Sequence, residues 1–124
     1  MCDILVLDDD PLVRATLVEA LSENGLEVVG AAAEVEALVT LRLATPPRVF
    51  VTDLDLGTKR NGFVVGAIAR MLFPDVPIIY ITGRPEAAYG HVMDARERLM
   101  QKPFRPSELM ATAQHLMGEA RVAA

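Results

Sequence analysis

Short apolar segments alternate with segments of helical periodicity along the chain. Five of the short segments predict β-strands, because apolar runs of this length are typical of strands buried inside a parallel sheet. They are Ile4–Leu7, Leu26–Val29, Val49–Thr52, Val76–Thr82 and Arg98–Gln101. Val76–Thr82 is the most apolar of them, which places it near the centre of the sheet.

A helix is predicted after each strand. The first begins at Pro11, behind Asp10 as its capping residue, and carries an apolar face of Val13, Leu17 and Leu21. The others are predicted at Val35–Leu43, around Val64, Ile68 and Met71, across residues 84–96 although Gly90 interrupts that pattern, and from Pro106-Ser107 to about Gly118. Five strand–helix units predict an α/β fold, with helices on both faces of a parallel sheet, in a single domain over residues 1–124.

Composition narrows the class of protein. The net charge is −5 and the twelve Lys and Arg residues are scattered, so a nucleic-acid or membrane-surface partner is not expected. The only cysteine, Cys2, cannot form an internal disulfide, which indicates a reducing, cytoplasmic location. No apolar run approaches the roughly 18 residues of a membrane span.

Polar side chains follow four of the predicted strands. In an open parallel sheet the ligand site lies beyond the carboxyl ends of the strands, so these groups should meet at one edge. They are Asp8 and Asp9, Asp53 and Asp55, Thr82-Gly83, and Lys102-Pro103. Clustered carboxylates favour a bound cation, and oxygen ligands with several waters suit Mg²⁺. A lysine and a hydroxyl beside them suit phosphate, and a free carboxylate oxygen could accept a phosphoryl group.

The motifs ILVLDDDPLVR, VFVTDLDLG, YITG and QKPF, in this order, resemble the receiver domain of bacterial two-component response regulators. The resemblance covers essentially the whole chain. It implies a flavodoxin-like sheet of strand order 2-1-3-4-5 and phosphorylation that depends on Mg²⁺. It also implies a sensor histidine kinase or a histidine phosphotransfer protein as phosphodonor, and a downstream protein as target. Such a domain catalyses its own phosphorylation and dephosphorylation but is not a turnover enzyme.

The same resemblance assigns roles to individual residues. Asp53 matches the phospho-accepting aspartate, and Asp8 and Asp9 match the acidic pair that recruits Mg²⁺, with Asp9 the more direct ligand. The main-chain carbonyl of Asp55 is the expected third protein ligand. Thr82 matches the hydroxyl that moves toward the phosphoryl group.

The resemblance extends to the lysine motif, with one departure. Lys102 matches the lysine that pairs with the phosphoryl group, and the Lys102–Pro103 bond is expected to be cis. Most receiver domains carry Tyr or Phe three residues before this lysine, where the present chain has Leu99. Because leucine has no hydroxyl and less area, the usual coupling between Thr82 and an aromatic ring is not expected. Output is instead expected through a reshaped 84–96 segment.

Asp55 and Arg84 flank the predicted phosphoryl position, two residues after Asp53 and two after Thr82. We expect these opposite charges to pair across the mouth of the pocket. If the pair blocks the in-line path of water to phospho-Asp53, separating the two side chains should shorten the phosphoryl lifetime.

Two other functions fit parts of the sequence. DLDLG also resembles the nucleophile motif of haloacid dehalogenase-like phosphohydrolases, but their acidic pair follows the lysine, whereas Asp8 and Asp9 precede it. A receiver-like binding module that never accepts phosphate is the second alternative, and Leu99 favours it. Stand-alone and excised forms of the domain, and a homodimer, all remain open.

Overall fold

The computed structural model describes residues 3–33, 36–37, 46–56 and 61–123, with side chains as far as Gly118. Five parallel strands form one sheet in the order β2-β1-β3-β4-β5. They are β1 (Ile4–Leu7), β2 (Val28–Ala31), β3 (Val49–Asp53), β4 (Ile78–Thr82) and β5 (Glu97–Gln101). The predicted α/β fold, strand number and strand order are confirmed, with boundaries that differ by one or two residues.

The three inner strands explain the apolar runs in the sequence. Every residue of β1, β3 and β4 is buried, whereas the edge strands β2 and β5 are mostly half-buried or exposed. Leu7 is in register with Thr52, and Asp53 is in register with Ile81. The carboxyl ends of the strands are therefore level, and the polar residues that follow them share one edge of the sheet.

Two helices cover one face of the sheet, α1 (Pro11–Ser22) and α3 (Pro106–Ala123). Asp10 caps α1 by accepting the backbone N–H groups of Leu12 and Val13, as predicted. The predicted apolar face of α1 packs on the sheet, with Leu17 and Leu21 buried and Val13 half-buried against the same core. The buried side chains on this face are Leu17, Leu21, Leu109, Met110, Ala113, Leu116 and Met117.

The helix α2 (Gly62–Leu72) packs on the opposite face, but not with the side that we predicted. Its buried residues are Gly62, Val65, Gly66 and Ala69, while Val64 is exposed and Met71 is 81% exposed. Any side chain at Gly66 would collide with the ring and hydroxyl of Tyr80 on β4. The glycine lets a large aromatic residue lie under the helix, and this contact sets which side of α2 faces the sheet.

The predicted α-helix across residues 84–96 is wrong. This segment contains only a short 3-10 helix, Pro85–Ala88, followed by turns and irregular chain as far as β5. Gly90 adopts φ +87°, a left-handed conformation that an α-helix cannot contain. We call residues 84–96 the β4–β5 connection.

Two other predicted helix boundaries have different outcomes. The last helix continues past Gly118 to Ala123, because a glycine within a helix costs about 1 kcal/mol and does not by itself end it. The predicted helix at Val35–Leu43 lies almost entirely outside the described residues. Among the helices that the structure describes, none has the length and apolar character needed to cross a membrane.

Candidate functional site

Three carboxylates meet at the carboxyl ends of β1 and β3. Asp53 is the last residue of β3, and Asp8 directly follows β1. Both side chains are buried at the carboxyl edge of the sheet, whereas Asp9 is exposed. One oxygen from each of Asp8, Asp9 and Asp53 lies within 4.8 Å of the others. The structure therefore brings Asp53 together with the adjacent pair Asp8 and Asp9, from which it is far apart in the sequence.

Asp8 has an environment that suits a cation ligand. Its Oδ1 accepts the backbone N–H of Asp10 at 2.9 Å, but its Oδ2 is buried and has no hydrogen-bond partner among the described residues. Burial raises the pKa of Asp8, and the negative charge of Asp53 raises it further. A buried, unsatisfied oxygen beside two more carboxylates fits a hard divalent cation such as Mg²⁺.

Lys102 supplies the positive charge of the site. Its Nζ donates to Asp53 Oδ2 at 3.0 Å and lies 3.8 Å from Asp8 Oδ2. Burial acts to lower the pKa of Lys102, but the hydrogen bond and charge of Asp53 outweigh it, so the pKa is raised. The ammonium group is therefore protonated at neutral pH. The Lys102–Pro103 bond is cis, as predicted.

The second oxygen of Asp53 is also held. Asp53 Oδ1 accepts the backbone N–H of Asp55 at 2.9 Å, while Oδ2 accepts from Lys102. These two donors fix the plane of the Asp53 carboxylate at the rim of the sheet. The role of the Asp55 carbonyl as a metal ligand stays a prediction.

Thr82 is buried at the end of β4, and its hydroxyl is engaged by its own loop. Oγ1 donates to the carbonyl of Arg84 at 3.0 Å and accepts the backbone N–H of Arg84 at 2.9 Å. The hydroxyl is thus committed to the backbone of Arg84 in this state. Gly83, between them, is exposed, and a side chain there would meet no atom within 4 Å.

The predicted pairing of Asp55 and Arg84 is confirmed. Arg84 Nη2 donates to Asp55 Oδ1 at 2.5 Å, and the two side chains are 64% and 44% exposed respectively. The hydrogen bond and charge of Asp55 raise the pKa of Arg84. The pair joins the segments that follow the neighbouring strands β3 and β4. Its effect on hydrolysis stays a prediction.

Leu99 lies on the edge strand β5 and is 36% exposed. It is in register with Tyr80 of β4, so the two side chains leave the same face of the sheet. Tyr80 is buried, and its ring lies 4.7 Å from that of Phe63 and 5.8 Å from that of His91. The family pattern places an aromatic residue on β5, at the position of Leu99, whereas this chain has its aromatic residue Tyr80 on the neighbouring strand β4.

We did not predict this aromatic cluster from the sequence. The ring of His91 stacks on that of Phe63, with the ring centroids 3.8 Å apart and an interplanar angle of 9°. Its Nε2 lies 3.3 Å from Glu97 Oε2. The one clue in the sequence is a tyrosine in the most apolar strand, two residues before Thr82.

An open parallel sheet of order 2-1-3-4-5, with carboxylates, a hydroxyl and a lysine at its strand ends, defines a class of flavodoxin-like signalling domains. The chain belongs to the response regulator receiver domain family, whose model matches residues 4–114.

Individual relatives agree with this assignment. The chain is 31% identical over 112 residues to the phyllosphere-induced regulator PhyR of Methylorubrum extorquens, covering 88% of this chain and 41% of that protein. It is 32% identical over 125 residues to the transcriptional regulatory protein AruR of Pseudomonas aeruginosa, covering 95% and 50%. The chain therefore spans about half the length of these relatives, or less.

A solved structure gives the same picture. The receiver domain of NtrX from Brucella abortus has a TM-score of 0.83 and 26% identity, with coverage of 94% of this chain and 98% of that chain. Receiver domains are not a catalytic enzyme family by themselves, and sensor kinases phosphorylate them. Family membership favours a receiver function over that of a phosphohydrolase, whose nucleophile motif DLDLG also resembles.

Proposed function

We propose that the protein accepts a phosphoryl group on Asp53, with Mg²⁺ held by Asp8, Asp9 and Asp53. The observation that carries this proposal is the environment of the Asp53 carboxylate. It lies at a buried strand end, is held by Lys102 on one oxygen and by the Asp55 N–H on the other, and adjoins two further carboxylates. A nucleophile needs this fixed orientation together with a cation that offsets the charge it gains.

The residues of the chain have separate tasks in the transfer. An oxygen of Asp53 forms a bond to phosphorus while the bond from phosphorus to the donor's leaving group breaks, and the leaving group departs with its electron pair. Lys102 neutralises charge on the phosphoryl oxygens, and the Thr82 hydroxyl donates to one of them. Mg²⁺, when bound, would offset further negative charge. Attack by water later releases inorganic phosphate and restores the Asp53 carboxylate.

The donor we propose is a sensor histidine kinase or a histidine phosphotransfer protein in the cytoplasm. We further propose that residues 1–124 act as one receiver unit, whose modified form presents an altered face to a downstream protein or to a second copy of the chain. The β4–β5 connection is the candidate for that face, because it begins at Arg84, whose backbone N–H is bound by the Thr82 hydroxyl. Its surface includes exposed Tyr89 and Val92.

The test replaces the nucleophile while keeping its size. Asp53→Asn removes the charge and nucleophilic oxygen, so incubation with Mg²⁺ and acetyl phosphate should give no gain of a phosphoryl group by intact mass. The matched control is Asp75→Asn, an exposed aspartate before β4, which should be labelled like the natural sequence. Both variants should keep the circular dichroism spectrum of the parent.

Labelling of the Asp53→Asn variant at the parent level would show that another residue is the acceptor. Catalytic turnover of unrelated phosphomonoesters by the parent protein would instead support the phosphohydrolase function.

A further inference from the structure

Arg84 is held in two ways in the unmodified protein. Its guanidinium is bound by the Asp55 carboxylate, and its backbone N–H and carbonyl are both bound by the Thr82 hydroxyl. Arg84 therefore links the hydroxyl of Thr82 to the carboxylate of Asp55. Any change at Thr82 reaches Arg84 through a direct contact.

The bond between Arg84 and Asp55 is easily exchanged. Both side chains are largely exposed, at 64% and 44%, and exposed ion pairs hold their partners only weakly. A competing anion of higher charge near Arg84 would therefore draw the guanidinium away at little cost. Arginine also binds phosphate oxygens with two parallel hydrogen bonds, which a single carboxylate oxygen does not offer here.

Phosphorylation of Asp53 would create such an anion beside Asp55. The backbone N–H of Asp55 already contacts Asp53 Oδ1, so the Asp55 residue adjoins the position that would carry the phosphoryl group. A phosphoryl group has a larger negative charge than a carboxylate. It would repel the Asp55 side chain and attract Arg84, and both effects favour the same exchange of partners.

The Thr82 hydroxyl adds a stoichiometric constraint. A hydroxyl has one proton to donate, and in this structure that proton goes to the carbonyl of Arg84. If Thr82 donates to the phosphoryl group, the Arg84 carbonyl loses its donor and the loop must adjust. There is space for that movement, because Gly83 is exposed and a Cβ atom built on it would meet no other atom within 4 Å.

We propose that Arg84 exchanges partners on phosphorylation, leaving Asp55 and binding the phosphoryl oxygens on Asp53 as a second cation beside Lys102. This inference rests on the proposed function of Asp53. It makes Asp55 a competitor of the phosphoryl group for Arg84. Removal of the Asp55 charge should therefore change the phosphoryl lifetime in the opposite direction from that expected of a fixed ion pair, in which Asp55 and Arg84 shield the site together.

Dephosphorylation rates of four proteins separate these two mechanisms: the parent, Asp55→Asn, Arg84→Ala and the double variant. Asn keeps the backbone and the size of Asp55 but not its charge. Exchange predicts that Asp55→Asn lengthens the phosphoryl lifetime by about two- to fivefold, since the competitor is gone. Arg84→Ala should shorten the lifetime, and in that background the Asp55→Asn change should have no further effect.

The opposite outcomes overturn the exchange. A shorter lifetime in Asp55→Asn would show a fixed pair, and strictly additive effects across the four proteins would show that Asp55 and Arg84 act independently. Nitrogen-15 NMR of the Arg84 side chain gives a second reading, with Mg²⁺ and beryllofluoride as the phosphoryl mimic. The Arg84 Nε–Hε resonance should shift in the parent on adding the mimic, and an unchanged resonance contradicts the exchange.

The same experiments distinguish failure of this inference from failure of the proposed function. If the parent protein is not labelled by acetyl phosphate, the role of Asp53 and the exchange at Arg84 are both overturned. If the parent is labelled on Asp53 but Asp55→Asn leaves the lifetime unchanged, only the exchange is overturned.

Discussion

Two regions next to the sheet are held in place by different interactions. One is the acidic rim, formed by Asp8, Asp9 and Asp53 together with Thr82 at the strand ends, and the other is the β4–β5 connection. At the rim, Asp53 and Thr82 end strands that are buried along their full length, so the backbone ladder positions both side chains. In the connection, Ala87, Tyr89 and His91 donate their backbone N–H groups only to carbonyls three residues earlier. The backbone of the connection reaches the sheet at Arg96, whose carbonyl accepts the N–H of Ile78, but the local bonds of residues 87–91 do not attach them to it.

Side chains provide that attachment instead. His91 stacks on Phe63 and contacts Glu97, and Arg70 of α2 binds Asp94 through two hydrogen bonds of 2.7 and 3.2 Å. Burial raises the pKa of the Tyr80 hydroxyl, and the negative charge of Glu97 raises it further. Changing a rim side chain should therefore alter the chemistry of the site and leave its backbone geometry intact. Changing an anchor of the connection should alter local structure.

The largest expected effect concerns metal at the rim. Asp9→Ala removes one of three clustered carboxylates, so repulsion falls and the metal-free protein should melt at the same or a higher temperature. The parent should gain up to about 2.7 kcal/mol of unfolding free energy at Mg²⁺ concentrations near 100 times Kd, and the variant much less. Melting curves at several Mg²⁺ concentrations measure both. The control is Asp75→Ala, which should keep the parent's response.

Equal Mg²⁺ responses in Asp9→Ala and the parent would contradict the assignment of Asp9 as a ligand. A large loss of metal-free stability in Asp9→Ala would contradict the view that strands alone hold the rim.

A smaller effect is expected from the aromatic anchor of the connection. His91→Ala removes the stack on Phe63 and the contact with Glu97, which should destabilise the segment by about 0.5–1.5 kcal/mol. Native-state hydrogen exchange should then show up to about tenfold faster exchange at Ala87 and Tyr89, with β1 and β3 unchanged. His91→Phe is the matched control, because it keeps an aromatic ring on Phe63. An equal acceleration in every strand would show that His91 supports the whole domain rather than the connection.

The smallest effect concerns the Arg70–Asp94 pair. The hydrogen bond from Arg70 lowers the pKa of Asp94 below its ordinary value of 3.8. A carboxyl whose folded-state pKa is lowered stabilises the protein above its unfolded pKa, and that contribution is lost as pH falls through the folded pKa. Asp94→Asn should therefore cost up to about 1 kcal/mol at neutral pH, because the pair is partly exposed.

Urea unfolding of Asp94→Asn and the parent, from neutral pH to below 3.8, measures this difference. Asparagine can still accept the backbone N–H of Arg96, so the change removes the charge and one of the two acceptors for Arg70 but keeps that backbone hydrogen bond. The gap between the two proteins should close as the pH falls, and a gap that widens would contradict the ion-pair assignment.

The pattern of apolar and polar residues was enough to predict the sheet and the side chains that meet at its edge. Buried strands need unbroken apolar runs, and polar residues directly after such runs must lie at the carboxyl edge of a parallel sheet. Asp8, Asp53 and Lys102 could therefore be placed together without coordinates, and so could the pairing of Asp55 with Arg84, since the motif spacing puts them on adjacent loops.

The packing of α2 against β4 and the course of the chain after β4 could not be predicted from the sequence pattern. The buried side of α2 depends on Tyr80 fitting against Gly66, a contact between residues that periodicity treats separately. The connection after β4 is not an α-helix because Gly90 adopts a left-handed conformation and His91 and Asp94 find partners on α2. Local pattern describes a segment in isolation, whereas these outcomes depend on packing between segments distant in sequence, which no window of the sequence contains.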